Sequence, residues 1–232
     1  GNSVLQFTGA AADATDRTIT LSGSSGANSP RIDVSNTGGD LQLVGTTLSG
    51  SGQTLGKIGA GTLTLGTGTS TSGTLSQLFA AGGNLTINGN ASVNTSNMLV
   101  GANDAFIVGG GSGTLNIQDT ATLTTVNLRM GEHSAGPAQT NFVNQSGGTV
   151  TITGASGNVG DTSGAFRIGH WGNETSTYNL SGGNLNITSD LSVGWDGTGV
   201  FTQTGGIASA ARLVVNDSNS LNSSGSGTFT LS

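Results

Sequence analysis

The chain has 232 residues; 42 are Gly, 33% are apolar, 8% charged and 4% aromatic, against about 25% charged residues in an ordinary globular domain. Its net charge is −6, and its six basic residues, Arg17, Arg31, Lys57, Arg129, Arg167 and Arg212, are scattered, which excludes a basic patch for nucleic acid or anionic lipid. The absence of cysteine excludes a disulfide framework and a thiolate metal site, and no apolar run approaches the ~20 residues of a membrane-spanning helix.

Low charge with abundant Gly, Ser, Thr and Asn is also the composition of a disordered linker. The apolar residues, however, are ordered into short alternating runs. In chain order these include Thr18-Ile19-Thr20-Leu21, Thr62-Leu63-Thr64-Leu65, Thr149-Val150-Thr151-Ile152 and Asn184-Leu185-Asn186-Ile187. Alternation with period two marks strands with one buried face, and no segment carries a helical period. The predicted class is all-β. The chain opens on Gly1 without an initiator Met or a leader segment, so it is expected to be a processed product or an excerpt.

Two motifs recur. The first reads apolar–x–apolar–Gly, at Phe106-Ile107-Val108-Gly109, Leu128-Arg129-Met130-Gly131, Phe166-Arg167-Ile168-Gly169 and Leu191-Ser192-Val193-Gly194. A fifth copy, Leu213-Val214-Val215-Asn216, has Asn at the Gly position. The second motif lies between them, at Val143–Gly148, Tyr178–Gly183 and Phe201–Gly206, each ending in Gly-Gly and each followed by an alternating run. One unit is therefore three short strands in about 22–25 residues, with one longer interval between Leu128 and Phe166. Gly-Gly at a corner supplies the positive φ of a sharp turn. Such a unit cannot bury its apolar face alone but can do so when stacked. The spacing predicts a parallel β-solenoid of three strands per coil and roughly ten coils, continuous over 1–232, less regular over 1–112 and clearer over 113–232.

Lys57-Ile58-Gly59-Ala60-Gly61-Thr62-Leu63-Thr64-Leu65 resembles the motif of the autotransporter-associated β-strand repeat. The Ser-Gly-Gly-x-apolar-x-apolar units between Asn141 and Ala210 are similar to repeats of autotransporter-like bacterial surface proteins. The resemblance implies a right-handed parallel β-helix displayed outside the cell or on its surface. It brings no catalytic residue and no cofactor.

No phosphate-binding loop, His-Glu-x-x-His or nucleophile elbow occurs, and twelve acids are spread over the whole length. No catalytic residue, metal or cofactor is expected. The residues after each apolar–x–apolar–Gly motif should share one turn column: Glu132-His133, His170-Trp171, Trp195-Asp196 and Asp217. Indole faces beside carboxylates and imidazoles suit a sugar ring, so this column is the candidate glycan site; aromatic cover over the core edge is the plainer reading. Arg129 and Arg167, each the middle residue of its motif, should point outward as solvated neighbours. The sequons at Asn84, Asn173 and Asn179 are what an Asn/Ser/Thr-rich chain produces by chance. Thr-x-Thr pairs suit an ice-binding face only at one fixed position in every coil. Along this sequence they shift, so that reading is set aside.

Neither end carries a polar cap. Thr228-Phe229-Thr230-Leu231-Ser232 joined to Gly1-Asn2-Ser3-Val4-Leu5-Gln6-Phe7 mimics Thr177–Ile187. Val4, Leu5, Phe7, Phe229 and Leu231 are therefore the expected end-to-end contacts, with another copy or with flanking repeats. The function expected is a structural extracellular rod serving as stalk, spacer or fibre unit. A glycan-binding adhesin is the alternative, and a polysaccharide-degrading enzyme ranks third.

Overall fold

A computed structural model describes residues 3–23, 28–103, 107–132, 138–155, 166–216 and 225–232. The described chain is all-β, and its strands pair in parallel in two sheets. No helix among the described residues is long and apolar enough to cross a membrane. Parallel neighbours separated by about one turn of sequence are the signature of a β-solenoid, as the strand spacing predicts.

The second sheet has nine strands, from Ala12–Thr15 to Ser226–Leu231, and their register is unbroken. Leu41 stands on Leu63, which is followed by Leu85, Leu115, Val143, Tyr178, Phe201 and Phe229. Alternation places this column and the neighbouring Leu43–Leu65–Ile87–Ile117 column in one buried core. Toward the C-terminal end the core becomes aromatic. Tyr178 and Phe201 stack with centroids 5.5 Å apart, Phe201 and Phe229 at 4.8 Å, and Phe166 meets Tyr178 edge-on at 5.3 Å.

The first sheet has fifteen strands in two halves, because Ser92–Ala102 and Thr122–Glu132 run through both while other coils break between them. The molecule thus has three outer faces. Outward positions of the second sheet form a bonded ladder: Asn179 Nδ2 donates to Asn144 Oδ1 (2.9 Å), Asn144 Nδ2 to Asn116 Oδ1 (3.1 Å) and Asn116 Nδ2 to Thr86 Oγ1 (3.3 Å).

Outward positions of the early half of the first sheet are Thr47/Ser49, Ser70/Ser72, Ser92/Asn94, Thr122/Thr124, Thr149/Thr151, Asn184/Asn186 and Ile207/Ser209, with Thr20 beside Ser49. These mixed Ser, Thr and Asn pairs keep one position in every coil, whereas Thr-x-Thr itself shifts, as read from sequence. It stands here only at Thr122/Thr124 and Thr149/Thr151, and Thr62/Thr64 and Thr228/Thr230 lie on the second sheet. Loops of unequal length elsewhere in each coil conceal the constancy.

The later half of the first sheet is the covered face. Ile58, Phe79, Ala81, Leu99, Ala102 and Ile107 form a second, outer apolar cluster there. Ile107 belongs to the segment between Ala102 and Gly113, outside any strand. The sequence motif starting at Phe106, a residue outside the described ones, is therefore not a copy of the strand motif. The true copy is Met98-Leu99-Val100-Gly101, which pairs with Leu128–Gly131. Gly101, Gly131, Gly169 and Gly194 share a column with φ of +77°, +88°, +71° and +77°, and Asn216 takes the same conformation at +59°. At Gly194 this left-handed turn brings Trp195 back over the covered face.

Lys57 points into the core beside Ala80 and is fully buried. Its Nζ donates to the carbonyls of Ile58 (2.9 Å), Gly59 (2.9 Å) and Gly82 (2.8 Å), closing two successive turns from within. Burial pulls its pKa down to about 8, partly opposed by Asp33.

Candidate functional site

On the covered face, the column Leu99–Arg129–Arg167–Ser192 runs across adjacent strands. Arg129 and Arg167 are neighbours, as their motif positions require. Arg167, however, is 1% exposed, so it is not a solvated charge. The chain returning through Gly194 lays the Trp195 ring over it, with the guanidinium carbon 3.9 Å from the ring centroid, a cation–π contact worth about 2 kcal/mol when desolvated.

Of the turn-column residues, the structure brings together Glu132, His170, Trp171 and Trp195. His170 Nδ1 lies 2.9 Å from Glu132 Oε2, and His170 Nε2 lies 3.1 Å from Arg167 Nη1. A guanidinium can only donate, so Nε2 accepts and Nδ1–H donates to the carboxylate: the imidazole is neutral. Arg129 Nη1 reaches Glu132 Oε1 at 3.4 Å. Burial holds the His170 pKa below its ordinary value against the Glu132 hydrogen bond, and the Arg167 and Arg129 charges act in the same direction as burial. Burial alone would raise the Glu132 pKa; its His170 hydrogen bond and nearby positive charge outweigh that and leave it low.

Trp195 is 8% exposed, and Arg167 occupies one of its faces. Trp171 is half-buried beside His170, with ring centroids 5.2 Å apart, and its Nε1 has no hydrogen-bond partner among the described residues. Asp196 lies at the same turn, its amide donating to Gly169 O (3.2 Å). His133 and Asp217, the other two members of the expected column, lie outside the described residues.

The sequence reading missed Glu174 and Asn141. Asn141 Nδ2 donates to Glu174 Oε2 (2.9 Å), while Asn141 Oδ1 accepts from the Gly113 amide (3.2 Å). Both residues are buried, and burial raises the Glu174 pKa to about 7 against that hydrogen bond. Their only sequence signal is register: Asn141 pairs with Ser176. The cluster is a carboxylate–imidazole–guanidinium chain in which both imidazole nitrogens are engaged, so neither is open to abstract a substrate proton. Among the described residues, no group of three or more His, Asp or Glu could hold a metal ion.

The end-contact residues occupy the outermost strands. Val4 is 45% exposed, Leu5 49% and Leu231 66%, whereas Phe7 and Phe229 pack partly against the core. Phe229 does occupy the Tyr178 column. Val4–Phe7 does not follow the Thr177–Ile187 analogy: it pairs with Arg31–Val34, in the column of Leu191–Val193 rather than that of Asn184–Ile187. The Ala12–Thr15 strand presents Asp13 and Thr15 where the next strand has Leu41 and Leu43.

No protein-family model, curated protein or solved structure matches this chain. The fold defines it as a parallel β-solenoid, and the covered face gives it a buried polar seam.

Proposed function

We propose that this chain is a right-handed solenoid rod of nine or ten coils that works outside a bacterial cell as a stalk, spacer or fibre unit. Right-handed crossover is the general rule for parallel connections. The observation that carries the reading is the unbroken register of nine parallel strands in the second sheet. At about 4.8 Å per strand, this gives a stiff body about 40 Å long. The autotransporter-like motifs support the surface location.

Coil-on-coil contact at the end faces fits this role, with either another copy or flanking coils as partner. The face bearing Phe229 and Leu231 suits an apolar coil. The opposite face is less suited to it, because Asp13 would stand over Phe229 if two copies stacked in column. Electron microscopy tests the reading. Rods joined along one axis support it; a monodisperse monomer with saturable glycan binding overturns it in favour of the adhesin.

The half-buried Trp171 ring, packed beside His170, favours glycan binding as a second reading. A glycan array with Trp171→Ala decides it: binding that the substitution removes supports the adhesin, and binding unchanged by it removes Trp171 from the argument.

A further inference from the structure

We infer that the early half of the first sheet is an ice-binding face, with crystalline water as its occupant. Fourteen of its fifteen paired outward positions are Ser, Thr or Asn, the exception being Ile207, and none is charged. The chain has eighteen charged residues, so an uncharged strip of this length sets the face apart from the covered face with its Arg, Glu and Asp. A charge would hold its own hydration shell and disturb an ice-like layer, whereas a hydroxyl both donates to and accepts from water.

Three further observations separate this face from an ordinary polar surface. Its hydroxyls are left to solvent: the only side-chain hydrogen bond among its described outward residues is Ser209 Oγ to Asn186 Oδ1 at 3.4 Å. The bonded ladder on the second sheet uses its amides internally. Every connection from the second sheet onto this face is only three or four residues long, so no long loop arises at that border. The face also carries no aromatic ring, the platform on which a sugar would stack, and this favours ice over a neutral polysaccharide.

The spacing agrees with this assignment. Successive strands are about 4.8 Å apart, and residues two apart on one strand are about 6.6 Å apart. Water linked tetrahedrally by hydrogen bonds of about 2.75 Å repeats every ~4.5 Å in one direction and every ~7.3 Å perpendicular to it. The mismatch across strands is about 0.3 Å per strand, within ~1 Å over four strands, and along a strand it is about 0.7 Å for the single two-residue step each strand presents. The centre of the face is a rectangle of four threonines, Thr122, Thr124, Thr149 and Thr151, paired in register. Each adds a methyl group that can sit between lattice waters.

The test is thermal hysteresis and ice-crystal shape, measured on the full chain. Faceted crystals and a gap between melting and freezing points are expected for the wild type. Thr124→Lys/Thr149→Lys should abolish both. Thr228→Lys, on the ladder face, should leave both unchanged. Circular dichroism melts establish that each variant is folded, and Thr124→Val/Thr149→Val provides a second, isosteric pair that should weaken the effect. A folded wild type without hysteresis or faceting overturns the inference. So does full activity in the folded Lys pair, or retention on crystalline cellulose or chitin without adsorption to ice.

Discussion

Tyr178 and Gln145 provide a sharp test of how this core is held. Both are fully buried, and Tyr178 Oη donates to Gln145 Oε1 at 2.6 Å. Gln145 Nε2 in turn donates to the Asn184 carbonyl at 2.9 Å. Tyr178→Phe keeps the ring stack but strands the Gln145 carbonyl, at a cost of about 1–3 kcal/mol. Gln145→Leu strands the Tyr178 hydroxyl, while the Asn184 carbonyl keeps its place in the ladder with Thr149, and should cost about 1–3 kcal/mol. Leucine itself fits, because Ile117 and Leu180 occupy the same column on either side. The double substitution removes both partners and leaves neither stranded, so it should cost about 1 kcal/mol or less. The two changes should therefore couple by roughly 3 kcal/mol in the compensating direction. Urea unfolding followed through Trp171 and Trp195 emission measures this cycle. Additivity within about 0.5 kcal/mol would refute the reasoning, because the buried hydrogen bond would then carry no specific energy.

The buried seam should produce opposing pH effects. Glu174 has a folded pKa of about 7 against 4.5, so its contribution is full below pH 4.5 and lost as pH rises through 7. Glu174→Gln, which can still accept from Asn141, should stabilise the protein by roughly 3 kcal/mol at pH 8 and hardly at all at pH 4.5; equal gains at both values would count against this. His170 has a lowered folded pKa, so its contribution is full above about pH 6.5 and lost as pH falls through the folded value. In the Glu174→Gln background the acid loss should stand unmasked, and His170→Leu should flatten it; denaturant midpoints from pH 8 to 4 read both. Gly194→Ala would set a Cβ 2.4 Å from the Ser226 backbone at a φ of +77°, and should cost about 3 kcal/mol or more. A thermal melt within a degree of wild type would contradict that.

The strand pattern was legible because it is local. Alternation in Thr62–Leu65 or Asn184–Ile187 decides which residues face inward wherever the strand finally lies. The Gly-Gly corners were legible for the same reason: Gly148, Gly183 and Gly206 do take positive φ, at +63°, +78° and +68°, because the requirement belongs to the turn itself. Asn216 in the glycine column could likewise be read from composition, since Asn tolerates the left-handed region.

Column membership was not legible where loops vary in length. Phe106–Gly109 carries the letters of the strand motif, yet the strand is Met98–Gly101 and Ile107 packs on the outside. Local sequence cannot distinguish an apolar residue that fills the core from one that lies over a neighbouring face. The same limit applies to Arg167, whose outward position was correct but whose burial depends on Trp195 arriving from the next coil. Glu132 and His170, 38 residues apart in sequence, meet only because two coils stack. The sequence by itself determined the strands, their inward sides and their tight corners, all set within a few residues by backbone sterics and period. Only the tertiary structure decided which coil lies on which, and so which face is covered, which is laddered and which is left as bare hydroxyls.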